Sequence, residues 1–359
     1  MNPIIEVARL GQSIWLDNLS RSLLQEGTLA RLITEDGVSG VTSNPAIFHK
    51  AVSDSPYYAT DLARLKQTEP EPERRYEALV VADIQAACDL MAPVFQRSAG
   101  DDGYVSLEVA PKWAHDEQAT VAEAHRLSGL VARPNLLVKV PATPAGVRAF
   151  ETLTAEGINV NVTLLFSLGQ VEAVFQAYLR GLHTRLARGG DARQAKAVAS
   201  LFLSRVDTLV DKRLESAGTP EALALQGGSA VAMARLAYAR YLALFHGQEF
   251  QALRASGCRP QYLLWASTGT KNPAYSDLLY VEPLVGPETI NTLPDKTLAA
   301  LREHGQVHAG VGESLDGAQE YYDKLAALGI DMEQVGLQLQ EEGVGLFSDA
   351  FEKLLVLMQ

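Results

Sequence analysis

Cysteine is nearly absent from this sequence of 359 residues. Cys88 and Cys258 are the only two. They stand far apart, without metal-type spacing, and nothing in their placement recommends a disulfide, so a reducing cytoplasm is the expected compartment. Positive charge is scarce: 31 Lys and Arg face 43 Asp and Glu, for a formal charge of −12. No basic block stands out, and an acidic chain repels a phosphate backbone, so no nucleic-acid partner is expected. Long apolar runs are missing as well. No uninterrupted stretch of about 18 apolar residues occurs, so no membrane span is expected. The opening "MNPIIEVARLGQSIW" places Glu6 and Arg9 within its apolar part and lacks the pattern of a signal peptide. No repeat, linker or low-complexity tract divides the chain.

What is present is an ordinary globular balance, 47% hydrophobic and 21% charged residues. Short, β-branched apolar runs bounded by turn residues recur at 13–19, 40–45, 104–110, 135–142, 158–166, 197–206, 262–268 and 279–285. Between most of them lie segments of helical period. Val171, Val174, Phe175, Tyr178, Leu179, Leu182 and Leu186, for example, follow one buried helix face. Strands alternating with helices pair in parallel. Eight of them fit a (β/α)8 barrel of the TIM type, although the same alternation also builds an open doubly wound sheet. We expect a single domain over 1–359, with extra helices after the second and sixth strands. The proline-bearing segment 66–75 is expected as a loop, and closing C-terminal helices from about 285.

Side chains of one parity share a strand face, and several strands carry an isolated polar group on an otherwise apolar face. These are Asp17, Glu108, Lys139, the pair Asn161 and Thr163, and Ser200, which shares its face with Phe202. In a barrel, catalytic groups come from the C-terminal ends of several strands and point to one centre. Each also has a plainer reading. Asp17 and Asn44 could be turn or helix-capping residues, Thr163 a strand former and Ser200 a packing hydroxyl. Glu108, between Leu107 and Val109, needs a partner or a carboxyl kept protonated. Lys139, in "NLLVKVPA", is the sharpest misfit, because a charged ammonium in apolar surroundings is costly. It either forms a structural ion pair with Glu108 or Asp17 or serves as a nucleophile. An amine that has lost its water is well suited to form an imine with a carbonyl, with a nearby carboxylic acid moving the protons.

At this point "GVTSNPAIF" (40–48) and "LVKVPATPAGVRAFETL" (137–153) resemble, in order, the two signatures of the transaldolases. The resemblance runs from about Trp15 to Leu284. It is nearest the longer bacterial subgroup with "WASTGTKNP", and it carries expectations residue by residue. Lys139 would form the Schiff base with a ketose phosphate, sedoheptulose 7-phosphate or fructose 6-phosphate. The dihydroxyacetone unit would then pass to an aldose phosphate, glyceraldehyde 3-phosphate or erythrose 4-phosphate. Asp17 would handle the C4 hydroxyl proton, and Glu108 with Thr163 would move protons through a water. Asn44, Asn161 and Ser200 would hold the C1 and C3 hydroxyls, with Phe202 as pocket wall. Arg205 on the sixth strand and Ser267 on the seventh would bind phosphate. Where the better-known subgroup has a second arginine this chain offers only Lys271. The implied chemistry needs no metal and no cofactor. Consistent with that, the Gly-x-Gly at 310–312 lacks the third glycine of a dinucleotide fingerprint, and His304 with His308 lacks a third ligand. The nearest rival is a fructose-6-phosphate aldolase of the same superfamily, which releases free dihydroxyacetone. A rival of another class is a non-catalytic sugar-phosphate binder. A homo-oligomer is left open.

Overall fold

A computed structural model describes residues 2–359. Eight parallel strands close into a barrel in chain order: β1 (Gln12–Leu16), β2 (Gly40–Val41), β3 (Val105–Glu108), β4 (Leu136–Pro141), β5 (Val160–Leu165), β6 (Ala197–Phe202), β7 (Tyr262–Ala266) and β8 (Thr289–Leu293). β8 pairs back onto β1, with Gln12 opposite Thr289, so no strand edge is left open. β4, β5 and β6 are buried along their whole length, because the interior fills one face and the helical coat covers the other. A fully buried Val, Leu or Phe there contributes roughly 1.5–3 kcal/mol.

The coat follows from local sequence. Helix Leu168–Ala187 starts at Ser167, whose hydroxyl accepts from the Gln170 amide, and buries Val171, Val174, Phe175, Tyr178, Leu179 and Leu182 against the barrel. Helix Pro144–Glu156 is capped by Thr143 at one end and stopped by left-handed Gly157 at the other. The long connection after β2 holds helices Pro45–Asp54, Ala59–Thr68 and Pro72–Arg97. The one after β6 holds Ser204–Ala217 and Ser229–Phe245. Pro72–Arg97 is long and apolar enough, by length and composition, to cross a membrane. Here it buries Leu79, Val80, Ile84, Ala87, Cys88 and Met91 in the coat, and its Asp83 pairs with Arg21 at 2.8 Å.

Three expectations are corrected. The eighth strand is not 279–285 but Thr289–Leu293. The apolar run is broken by Pro283 into turns and packs outside β8. There the Leu284 carbonyl accepts from Gln12 at 2.7 Å and the Tyr280 carbonyl from Asn291 at 3.0 Å. The true strand reads as polar because its outward Asn291 bonds to that covering segment and its outward Thr289 donates to the Gly286 carbonyl just after it. C-terminal helices therefore begin at Asp295, not about 285, and comprise Asp295–His304, Leu315–Ala327 and Met332–Leu357. Segment 66–75 is helical except over 69–71, since Pro72 occupies a first-turn position where its missing N–H costs nothing.

Candidate active site

The strand register places the polar residues side by side. Glu108 on β3 is the direct neighbour of Lys139 on β4, and Lys139 of Asn161 on β5. Parallel partners share a face, so the three form a row inside the barrel near its C-terminal mouth. Above it opens a cleft lined by Asp17, Thr42, Asn44, Lys139, Ser200, Phe202, Arg205, Ser267, Thr292 and Phe347, among others. Seven of the eleven residues singled out from sequence thus meet in one cleft: Asp17, Asn44, Lys139, Ser200, Phe202, Arg205 and Ser267.

Lys139 is 4% exposed. Its Nζ donates to the Ser43 carbonyl at 3.2 Å and forms no ion pair with Asp17 or Glu108 among the described residues, so the structural ion-pair reading does not hold. Asp17 follows the last residue of β1. It is fixed by its own amide on the Leu293 carbonyl and by the Thr42 hydroxyl, which donates to Oδ1 at 2.7 Å. Burial raises the Asp17 carboxyl, against the opposing pull of Lys139 and of Thr42. Burial also pushes Glu108 up from its ordinary 4.5 to about 7, again with Lys139 opposing. A carboxyl so placed can hold or give a proton near neutral pH. Its Oε2 is buried without a partner. It looks into an adjoining cavity, lined also by Ser43, Asn44, Tyr76 and Phe351, rather than into the cleft itself.

The capping reading of Asn44 holds, and the residue also lines the cleft. Its Oδ1 caps helix Pro45–Asp54 by accepting from Ile47 at 3.0 Å, which leaves the amide NH2 to donate in the cleft it lines. Asn161 and Thr163 lie behind the cleft surface. Asn161 accepts from Ser200 at 2.6 Å and donates to Ser106 at 3.1 Å, so it orients the Ser200 hydroxyl. The Thr163 hydroxyl is buried with no partner. β5 breaks register between Val162 and Leu165 and holds Leu164 at φ +61°, a left-handed conformation that costs a leucine energy.

Arg205 is not on a strand, as expected, but in the first turn of helix Ser204–Ala217, because β6 ends at Phe202. Ser267 likewise lies just past β7, at φ +54°, with its hydroxyl 2.8 Å from that of Ser204. Arg205 stacks over Phe202 at 5.8 Å and makes no ion pair among the described residues. A desolvated, unpaired guanidinium at a cleft suits an oxyanion. Lys271 stays outside the cleft, in an adjacent groove that Arg205 shares with Lys212 and Glu342. Thr42, Thr292, Lys212 and Phe347 were missed. Thr42 sat in plain view within "GVTSNP", whereas Phe347 and Lys212 lie on helices whose pattern carries no signal of function.

One family model and three relatives match this chain. The family model described as Transaldolase/Fructose-6-phosphate aldolase matches residues 14–358. The chain is 63% identical to the transaldolase of Thiobacillus denitrificans over 99% of both chains. It is 48% identical to that of Neisseria gonorrhoeae over 99% of both. With that of Mycolicibacterium smegmatis it shares 46% identity over 99% of this chain and 96% of the relative.

Proposed function

This chain belongs to the transaldolase/fructose-6-phosphate aldolase family and is an enzyme with transaldolase activity, and from that premise we propose that Lys139 is its imine-forming nucleophile. The observation that carries the reading is a lysine 4% exposed, free of any ion pair, between two carboxyls that burial pushes up, Glu108 to about 7. The Lys139 amine attacks the ketone carbon of sedoheptulose 7-phosphate or fructose 6-phosphate, and Glu108 supplies the proton that lets water leave. Thr163, with its unpartnered hydroxyl, helps to hold that water. The iminium is the electron sink. Asp17 takes the proton of the C4 hydroxyl, the C3–C4 bond breaks, and an aldose phosphate departs. Asn44 and Ser200, the latter oriented by Asn161, hold the hydroxyls of the remaining dihydroxyacetone unit. Phe202 walls the pocket, and Arg205, Ser267 and Lys271 receive phosphate. Glyceraldehyde 3-phosphate or erythrose 4-phosphate then accepts the unit by the reverse steps.

These substrates are those of the non-oxidative pentose phosphate pathway. The reading requires no metal or cofactor and fits a cytoplasmic enzyme on a single barrel domain. Fructose 6-phosphate with erythrose 4-phosphate should give sedoheptulose 7-phosphate and glyceraldehyde 3-phosphate. Fructose 6-phosphate followed by borohydride should inactivate the enzyme. Equal release of dihydroxyacetone with and without acceptor would instead make it an aldolase, and the absence of borohydride inactivation would remove the imine.

A further inference from the structure

The helix Met332–Leu357 stands outside the strand–helix alternation and crosses the mouth where the strands end. One stripe of it faces the barrel: Gly336, Gln340, Gly343, Phe347 and Phe351, at spacings of three and four residues that keep one helix face. A Cβ at Gly336 would meet Ser167 at 2.5 Å, and one at Gly343 would meet Leu164 at 2.9 Å, so the helix backbone lies against the strand ends. Between them Gln340, 7% exposed, spends both amide hydrogens on the barrel. Its Nε2 donates to the Ala142 carbonyl at 2.9 Å and to the Leu164 carbonyl at 3.0 Å. Ala142 follows β4 three residues after Lys139, and Leu164 is the left-handed residue beside Thr163. Farther along, Phe347 lines the cleft that holds Lys139 and Arg205, and Phe351 packs edge-on against Tyr76 at 5.4 Å in the cavity beside Glu108. Both ends are pinned. Glu333 accepts from the Ser167 hydroxyl at 2.6 Å and the Gly169 amide at 2.9 Å, and Arg75 donates to the Met358 carbonyl at 2.6 Å.

We propose that this helix is the water-excluding wall of the catalytic cleft: Gln340 fastens it to the ends of β4 and β5, and Phe347 shields C3 of the enamine on Lys139 from water, so that the covalent intermediate waits for an aldehyde. The inference rests on the imine reading above. After aldose leaves, the enamine on Lys139 has two fates. It can attack an acceptor aldehyde, or it can take a proton at C3 and then water at the imine carbon. In the second case the water oxygen becomes the ketone oxygen, one water hydrogen ends on C3 and one on nitrogen, the C–N bond breaks, and dihydroxyacetone leaves the free amine. Both fates end in hydrolysis of an imine, but only the second needs a proton at C3 of the enamine, and an apolar ring over C3 keeps the water that would supply it away.

The test is the ratio of dihydroxyacetone release, from fructose 6-phosphate alone, to transfer onto erythrose 4-phosphate, measured in the full-length protein. Phe347→Ala should raise this ratio about ten-fold, since water then reaches C3 of the enamine. Phe347→Leu should raise it less. Gln340→Met, which keeps the volume and removes both donors, should raise the same ratio while lowering transfer kcat. Leu337→Ala, on the solvent side of the helix at 54% exposure, should leave both rates unchanged. A ratio within two-fold of the parent in folded Phe347→Leu and Gln340→Met, whatever Phe347→Ala does, overturns the proposal. Failure of the parent protein to form a borohydride adduct at Lys139 would instead strike the imine reading, and this inference with it.

Discussion

Two lysines are buried in the same barrel in opposite surroundings. Lys139 sits at the mouth, 4% exposed, with a single hydrogen bond to the Ser43 carbonyl. Lys196 sits at the floor, just before β6, 2% exposed. It donates to Asp101 at 2.7 Å and lies 3.9 Å over the Tyr262 ring. Burial pulls the Lys196 ammonium down, and Asp101 pulls it back up. Depth is the same for both. What differs is the set of partners and the space above the nitrogen. Lys196 is closed in by an anion and an aromatic face, a structural lock. Lys139 is left without an ion pair and faces a cleft, as the proposed imine role requires.

The contrast can be broken in order of size. Lys139→Met should lower kcat by about 10^4-fold or more, the loss of a covalent nucleophile, while leaving thermal stability within about 1 kcal/mol because the isostere is apolar; kinetics and calorimetry on one preparation check both. Glu108→Gln should slow imine formation and hydrolysis by about 10^2-fold, as expected for a lost proton donor, with substrate binding largely kept. Its sign with pH is definite. The folded protein keeps the Glu108 proton up to about 7, against an ordinary 4.5, so the folded state binds more protons than the unfolded chain between those values. This group's contribution to stability therefore falls as pH rises from 4.5 to about 7. Denaturant titrations should show that fall flattened in Glu108→Gln, and an identical slope in both proteins would contradict the assignment.

Lys196→Met should do the reverse of Lys139→Met. It should cost on the order of 1–3 kcal/mol of stability, less than a fully buried pair because Asp101 reaches solvent and keeps Tyr262 as a partner, and kcat of the folded fraction should stay within two-fold. A large loss of kcat there would erase the distinction between floor and mouth. Smallest of all, Lys112→Ala, at an exposed pair with Glu73, should change stability by less than about 0.5 kcal/mol and leave activity alone.

The first seven strands were legible because their apolar runs are bounded by turn residues and face apolar neighbours on at least one side. β8 was not, because its outward Thr289 and Asn291 donate to the carbonyls of Gly286 and Tyr280, just after and within a covering run more apolar than the strand itself. Lys139 and Glu108 were legible as charges in apolar runs, and the strand register puts them on one face. What sequence could not show was distance. It left the ion pair open, which the placement of Lys139 Nζ on Ser43 resolves, and it put Arg205 on a strand when the chain had already turned into helix. The contribution of Met332–Leu357 was illegible, since Gln340 and Phe347 sit in an ordinary amphipathic pattern and acquire their roles only from what the helix crosses.

The most direct measurement is to trap the enzyme with fructose 6-phosphate and borohydride and map the modified residue by mass spectrometry, in the parent protein and in the Lys139→Met and Lys196→Met variants. The expected result is one dihydroxyacetone-derived adduct on Lys139, retained in Lys196→Met and absent from Lys139→Met. An adduct on Lys196, or one that survives Lys139→Met, would contradict the division of labour between the two buried lysines.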